Sequence, residues 1–491
     1  MPRYFLRGSL EHPSFRLPEI HAIAELFGFE VRVISEAPEK GILIVEVDSE
    51  EHIERLLDRG ILVFFACELY AHAHTYEELQ AAMRERAAEG IFEPHMDKSW
   101  KIAVECVNNH ATDRRSLDVI NSFGWIGLRG KINLNKPQCE LVVLEDYKYV
   151  TIHTKEARLD RDGQFQEVYF GRRVGFSRAR PLINAHEVKS RAFFGNTSME
   201  SEMGLLMAGQ ACPAPGRIMY DPFVGTGSCL YGVAHWGSLV IGSDIDARQF
   251  RGKEKGKDIV PGIMRSAKQY GIDQRFLDNM CFDITNGPWR RGGVLDAIIT
   301  DPPYGVRAGA KRLGKASTRK RNVLRDEPFL MPDGTYAHQN PDYVPPSKPY
   351  ELVDLTKDLV QLARYLLVPG GRLVFFLPTV TDEYDEVDIP VVEGMKELKW
   401  GEGSVQSFGR WGRRLITMVK TAEDDGPRPT FGDHSDLLAE KEPGHHRFAQ
   451  KYFKSSRGGS EATSLTGDAT PAPEGEVDVD AVTEGVEKVQ V

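Results

Sequence analysis

Arg217-Ile218-Met219-Tyr220-Asp221-Pro222-Phe223-Val224-Gly225-Thr226-Gly227-Ser228, continued by Cys229-Leu230-Tyr231-Gly232-Val233-Ala234-His235-Trp236, is the stretch that decides the fold class. A short apolar run ending in an acid reads as a strand, Gly-x-Gly as a tight turn, and the small and apolar residues after it as a helix. Together they form the first unit of a doubly wound α/β sheet, in which glycine lets the backbone approach a ligand closely. A dinucleotide fingerprint carries a third glycine three residues after the second, but Leu230 stands there. The turn is therefore expected to hold a cofactor without phosphates, with Asp221, Phe223, Gly225 and Gly227 as its contacts.

The chain then repeats strand ends that carry acids. Ser238-Leu239-Val240-Ile241-Gly242-Ser243 leads into Asp244, which lies 19 residues beyond Gly225, the place of a ribose-binding acid. Asn279-Met280-Cys281-Phe282-Asp283-Ile284 puts Asp283 at a third strand end, suited to an adenine amino group. A fourth strand, Leu295-Asp296-Ala297-Ile298-Ile299-Thr300, runs into Asp301-Pro302-Pro303-Tyr304. Two prolines forfeit two backbone donors and stop the strand abruptly, which fixes the Asp301 carboxylate, the Pro302 carbonyl and the Tyr304 ring around one point. Two acceptors and an aromatic face suit a planar group with an exocyclic NH2, the mark of enzymes that methylate amino nitrogens with S-adenosylmethionine. Alone, the tetrad fits a tight turn equally well, and strand-end acids are often helix caps. In this order they predict a Rossmann-like methyltransferase, with Asp301, Pro302 and Tyr304 catalytic and Asp221 facing the methionine ammonium. Upstream, in Phe193-Phe194-Gly195-Asn196-Thr197-Ser198-Met199-Glu200, Thr197 and Glu200 read as a capping box for the next helix. Thr197 and Ser198 are also expected beside the cofactor carboxylate.

Charge is uneven. The net charge is −10, yet residues 421–491 hold 15 acids and 7 bases, so the remainder is close to neutral. Rich in Gly, Pro, Ser, Thr and acid, that segment reads as a disordered tail, within which Asp436 to Phe453 could form a short helix on a partner. Positive charge gathers next to the tetrad: Arg307 to Arg325 holds eight bases and no acid. A basic segment beside an amino-methylating pocket can neutralise phosphates, which makes Arg307, Lys311 and Arg312 candidate RNA contacts. Through Pro349 this insertion is expected to be an irregular loop. Leu352, Leu355, Leu359, Leu362 and Leu366 then mark a helix that Pro369-Gly370-Gly371 should stop, followed by a buried strand Arg372 to Pro378. Ser407 to Lys420 reads as an edge strand, with Arg410, Arg413 and Arg414 on a basic surface or reaching RNA.

At 491 residues the chain has room for two to four domains. Its six cysteines are scattered without a C-x-x-C pair, so neither a disulfide framework nor a metal site is indicated. The start has no signal-like apolar core, and the run Ile61 to Cys67 is too short to span a membrane, which points to a cytosolic or nuclear protein. Residues 1–94 alternate helices (Pro18 to Phe27, Glu50 to Arg59) with strands (Gly41 to Val47, Gly60 to Cys67), an α+β layer. A linker at Phe92-Glu93-Pro94-His95 precedes a second α+β unit, 95–180, with strand-like stretches at Trp100 to Cys106, Lys131 to Pro137 and Glu140 to Glu145. The methyltransferase domain is expected over 185–420.

Gly130-Lys131-Ile132-Asn133-Leu134-Asn135-Lys136-Pro137-Gln138-Cys139-Glu140-Leu141-Val142-Val143 resembles the signature of THUMP domains, RNA-binding modules of tRNA-modifying enzymes. Asp301 to Lys311 and Phe194 to Met199 resemble the catalytic subunits of the eukaryotic tRNA (guanine-10-N2)-methyltransferase family, a likeness reaching from about residue 3 to 420. It implies tRNA as substrate and S-adenosylmethionine as cofactor. It also implies a small zinc-binding activator subunit as partner and a THUMP domain gripping the acceptor end; of the two compartments left open above, the cytoplasmic one is expected. Enzymes methylating adenine N6 or a glutamine side chain would share the cofactor and catalytic motifs, and a non-catalytic RNA-binding subunit would share the front half.

Overall fold

The computed structural model describes residues 1–37, 39–148, 165–252, 260, 262–304, 310–314, 328–340, 347–380, 389–401, 403–408, 411–423, 428–429 and 431. The expected tail helix, the basic residues from Lys315 to Arg325, Arg307 and Arg410 lie outside them.

The first half is built on β1 (Arg3–Gly8), α1 (Arg16–Phe27), β2 (Arg32–Ala37), β3 (Ile42–Glu46), α2 (Glu50–Arg59), β4 (Val63–Ala73), α3 (Tyr76–Ala88), β5 (Trp100–Val107), α4 (Asp113–Ser122), β6 (Cys139–Tyr147) and β7 (Phe165–Phe176). Its seven strands form one sheet in the order β2-β3-β1-β4-β7-β6-β5, so strands from both sides of residues 92–95 share a ladder. Only β5 and β6 run parallel there, joined through α4. Helix α1 ends where Gly28 takes φ +70°, a conformation that costs glycine little. Its buried Glu19 accepts hydrogen bonds from the Ile61 N–H (2.6 Å) and the Leu62 N–H (3.0 Å), pinning the helix to the turn before β4.

One expected strand is absent. Lys131–Pro137 alternates like a strand, but only Ile132 bridges to Trp100, and Ile132 and Leu134 are 65 % and 72 % exposed. The Asn133 side chain accepts from the Asn135 and Lys136 N–H groups and donates to the Lys136 carbonyl, which curls the segment into a loop.

After α5 (Pro181–Ala185) and α6 (Ser201–Gln210) comes the second sheet. It is assembled from β8 (Ile218–Asp221), α7 (Ser228–His235), β9 (Leu239–Asp244), α8 (Arg248–Arg251), α9 (Gly262–Gln269), β10 (Phe276–Cys281), β11 (Leu295–Thr300), α10 (Leu352–Leu366), β14 (Leu367–Val380), β15 (Met395–Glu397), β16 (Ser404–Ser407) and β17 (Trp411–Lys420), with a small β12 (Lys311–Leu313) and β13 (Ser347–Pro349) pair apart. The order is β10-β9-β8-β11-β14-β17-β15, with β16 also on β17. The first five strands are parallel and β17 is antiparallel to β14. This is the doubly wound sheet the glycine turn implied, and strand order reverses between β8 and β11.

Three local expectations are corrected. Helix α10 ends at Leu366 and passes straight into β14, where Pro369-Gly370-Gly371 forms a bulge with Gly370 at φ +78°. β17 is no edge strand, because β14 holds one side and β15 and β16 the other. Helix α6 starts at Ser201 with Glu200 as N-cap and no side-chain cap, so the Thr197 capping box does not form. Ser198 explains the shift: its N–H bonds the Gly195 carbonyl and its hydroxyl accepts from the Gly195 N–H (2.9 Å), making a turn in place of a first helical turn.

The two sheets share a core. Phe15, Ile61 and Leu62 from the first half pack in one cluster with Met203, Leu206 and Leu415 of the second. Arg372 of β14 pairs with Glu25 of α1 (2.5 Å), and Arg59 of α2 bonds the Pro213 carbonyl (3.0 Å).

Candidate active site

The parallel strands point their carboxyl ends to one rim, and a doubly wound sheet binds ligands there, at the point where strand order reverses. Asp221 ends β8 and Asp301 follows β11, the two strands that flank this point.

Asp221 is 1 % exposed. Its carboxylate accepts from the Thr300 hydroxyl (2.6 Å) and the Phe223 N–H (3.0 Å). Burial pushes its pKa up to about 7 against these bonds, and the charges of Asp244 and Asp301 push the same way. The turn that follows needs both of its glycines: Gly225 sits at φ +49° and Gly227 at φ +85°. A Cβ on Gly227 would meet the Tyr231 hydroxyl at 3.0 Å and Ile263 at 3.2 Å. Phe223 lies half-buried at the start of the turn.

Asp244, at the end of β9, accepts from the Gly225 N–H (3.1 Å) and the Asp246 N–H (2.9 Å), which ties the second strand end to the glycine turn. Burial raises its pKa to about 6. Asp283 follows β10 and is buried, and its carboxylate is already engaged by the Thr285 N–H and hydroxyl (2.9 Å each) and by the Leu313 N–H. Thr197 is exposed in the 195–198 turn, and the neighbouring Ser198 hydroxyl bonds the Thr226 hydroxyl at 2.8 Å, holding that turn against the glycine loop.

In the tetrad, the Tyr304 hydroxyl donates to Asp301 Oδ1, and Arg413 Nη1 donates to Oδ2 at 2.9 Å. Burial lifts the Asp301 pKa to about 6 against the pull of the Arg413 charge. At 24 % exposure of its side chain, solvent screens part of that effect. Pro302 is buried and Tyr304 packs on the main core. The rim therefore gathers Asp221, Asp244, Asp301, Tyr304 and the glycine turn. Lys311 and Arg312 belong to β12, Lys311 exposed and the Arg312 guanidinium 5.3 Å from the Tyr350 ring.

Thr300 and Arg413 are the residues that sequence reasoning missed. Arg413 was expected on a basic surface or reaching RNA, but it is 9 % exposed. A signal existed: adjacent arginines in a strand point to opposite faces, so a sheet covered on both faces must bury both. Arg414 is buried too, paired with Glu397 at 2.7 Å.

Known proteins match along this same layout. Residues 2–179 fit the family model described as Tmrp11 THUMP N-terminal domain, and 189–320 that of the RMKL-like methyltransferase domain. The tRNA (guanine(10)-N(2))-methyltransferase of Saccharomyces cerevisiae is 34% identical over 421 residues, covering 85% of this chain and 93% of that protein. For tRNA (guanine(10)-N(2))-methyltransferase TRMT11 of Homo sapiens the figures are 33% over 465 residues, 92% of this chain and 95% of that protein. Among solved structures, TrmN from Thermus thermophilus covers 85% of this chain and 99% of its own at 16% identity and a TM-score of 0.39, too loose a superposition to carry weight. With a third of its residues shared across more than nine-tenths of these two curated relatives, the chain belongs to the tRNA (guanine(10)-N(2))-methyltransferase family.

Proposed function

We propose that this chain is the catalytic subunit that transfers a methyl group from S-adenosylmethionine to N2 of guanosine 10 in tRNA. The observation that carries the reading is the Asp221 and Asp301 pair flanking the switch point, in a chain a third identical to relatives named for that reaction.

The rim suits the cofactor. A buried carboxylate at Asp221, a half-buried one at Asp244 and the glycine turn between them fit a ligand that lacks phosphates and carries positive charge. Asp221 would take the ammonium and Asp244 the ribose hydroxyls. Phe223, Gly225 and Gly227 would pack against the ligand, and Thr197 would sit beside its carboxylate. Asp283 is assigned the adenine amino group, through the acceptor capacity that its three hydrogen bonds leave. When bound, S-adenosylmethionine supplies an electrophilic methyl group.

The guanine amine is a weak nucleophile because its lone pair delocalises into the ring. Asp301 and the Pro302 carbonyl would accept its two N–H bonds, localise the pair on nitrogen and hold it in line for attack, and Asp301 would take the released proton. The Tyr304 hydroxyl, which donates to Asp301 here, would yield to the arriving amine. Extruding a paired base costs a few kcal/mol, and stacking on the Tyr304 ring would return roughly 1–3 kcal/mol.

The division into 1–94, 95–180, 185–420 and a tail from 421 belongs to the same proposal, with 95–180 gripping the acceptor end. Arg307, Lys311 and Arg312 would contact phosphates near the target base. A small zinc-binding activator subunit would complete the enzyme in the cytoplasm. Among the described residues no helix is long and apolar enough to cross a membrane.

Asp301→Ala should lower methyl transfer at least about a hundredfold while leaving tRNA affinity unchanged. Activity within about tenfold of the parent enzyme would remove Asp301 from the role given to it here.

A further inference from the structure

Arg413 sits two strands away from the tetrad, yet its guanidinium reaches it. Nη1 donates to Asp301 Oδ2 at 2.9 Å, and Nε donates to Gln406 Oε1 at 2.8 Å. The guanidinium carbon lies 4.1 Å from the centre of the Phe376 ring on β14 and 5.8 Å from that of Phe408. Gln406 is 6 % exposed and sits directly opposite Arg413 in the antiparallel β16–β17 ladder. A planar cation held by a buried amide at one edge, an aromatic ring at one face and a carboxylate at the other edge has little freedom to turn.

We propose that Arg413 is the positioning residue of this site: it fixes the rotation of the Asp301 carboxylate and supplies the countercharge that lets Asp301 meet the amine as an acceptor. The proposal rests on the reading of Asp301 given above. By engaging Oδ2 through a buried cation, Arg413 leaves Oδ1, the oxygen now bonded by the Tyr304 hydroxyl, as the one that faces an incoming N–H. A protonated Asp301 would offer a donor in place of an acceptor and could not take up the amine proton.

Burial of Asp301 makes the countercharge necessary. Asp221 at the end of β8 feels the charges of both Asp244 and Asp301. Cys229 at the start of α7 is buried near both Asp221 and Asp301, with its thiol held well above the usual range. Tyr304 lies in the same loop. Among the described residues that bear on Asp301, Arg413 of β17 is the cation, and it draws the carboxyl down while burial draws it up. Its removal leaves burial unopposed, and the proton stays on to higher pH.

Arg413→Met keeps an apolar stem on Phe376 and removes the charge, whereas Arg413→Lys keeps the charge and loses the fork. The test is the pH profile of kcat/KM for tRNA methylation by the full chain with its co-expressed partner, with cofactor affinity followed by calorimetry. For Arg413→Met the acid limb should move up by at least about one pH unit, with activity lost at neutral pH and recovered in base, and cofactor affinity should stay within about threefold. The limb should move less than half as far in Arg413→Lys. An unmoved limb in Arg413→Met overturns the proposal, whether activity is retained or lost evenly at every pH. Asp301→Asn, assayed beside it, separates the two ideas. If that variant stays active, the reading of the site itself falls; if it is dead while the Arg413→Met profile stays in place, only the positioning role falls.

Discussion

Three carboxylates, Asp221, Asp244 and Asp301, end or follow three strands of one sheet, and burial holds each above the usual carboxylate range. Near neutral pH such groups retain part of their protons, and a cationic ligand must displace them to form its ion pairs. Cofactor affinity should therefore strengthen as pH rises from about 5.5 to about 7.5 and level off above, with proton release on binding. Calorimetry in two buffers of different ionisation enthalpy measures both, and a flat affinity with no proton release would contradict the assignment of Asp221 and Asp244. The acids themselves were legible because each interrupts an apolar run where a strand must end. Their partners were not: Thr300 reads as one more strand residue until the register places its hydroxyl 2.6 Å from Asp221. Arg413 reads as surface because the alternation that sends it and Arg414 to opposite faces does not by itself show that β15 and β16 extend the sheet beyond its strand.

At the scale of elements, the glycine turn between β8 and α7 does the most to shape the rim. Gly227 combines φ +85° with a neighbour that would lie 3.0 Å from an added Cβ. Gly227→Ala should cost about 1–3 kcal/mol of stability and weaken cofactor binding at least about tenfold, read by thermal melting and calorimetry on the same preparation. Normal binding in the variant would mean that the turn does not cradle the ligand. Elements with strong local signals were legible: helix α2 spans Glu50–Arg59, as its periodicity implies, and β11 is bounded by the prolines that follow it. Elements settled by distant partners were not. The 131–137 loop has strand-like alternation, but its Asn133 side chain supplies bonds that a ladder would have supplied. The bulge at Pro369–Gly371 exists because β14 must stay in register with β11 on both sides of it.

At the scale of the molecule, the half that matches the THUMP N-terminal model and the methyltransferase half are joined through a shared apolar core and the Arg372–Glu25 and Arg59–Pro213 links. The doubly wound class of the methyltransferase sheet could be read from the chain, since the glycine turn and the strand-end acids imply it, but its strand order could not. That one seven-stranded sheet unites the strands before and after residue 94 could not, because neither half of the sequence marks its partner. Residues remote from the rim are thereby tied to the sheet that carries the chemistry. The measurement that tests the central claim most directly is nucleoside mapping of unmodified tRNA after incubation with the full chain, with and without the proposed activator subunit, and labelled S-adenosylmethionine. The account predicts label confined to N2-methylguanosine at position 10 and absent with Asp301→Ala; label on adenine N6 or on protein, or label unaffected by that substitution, would contradict it.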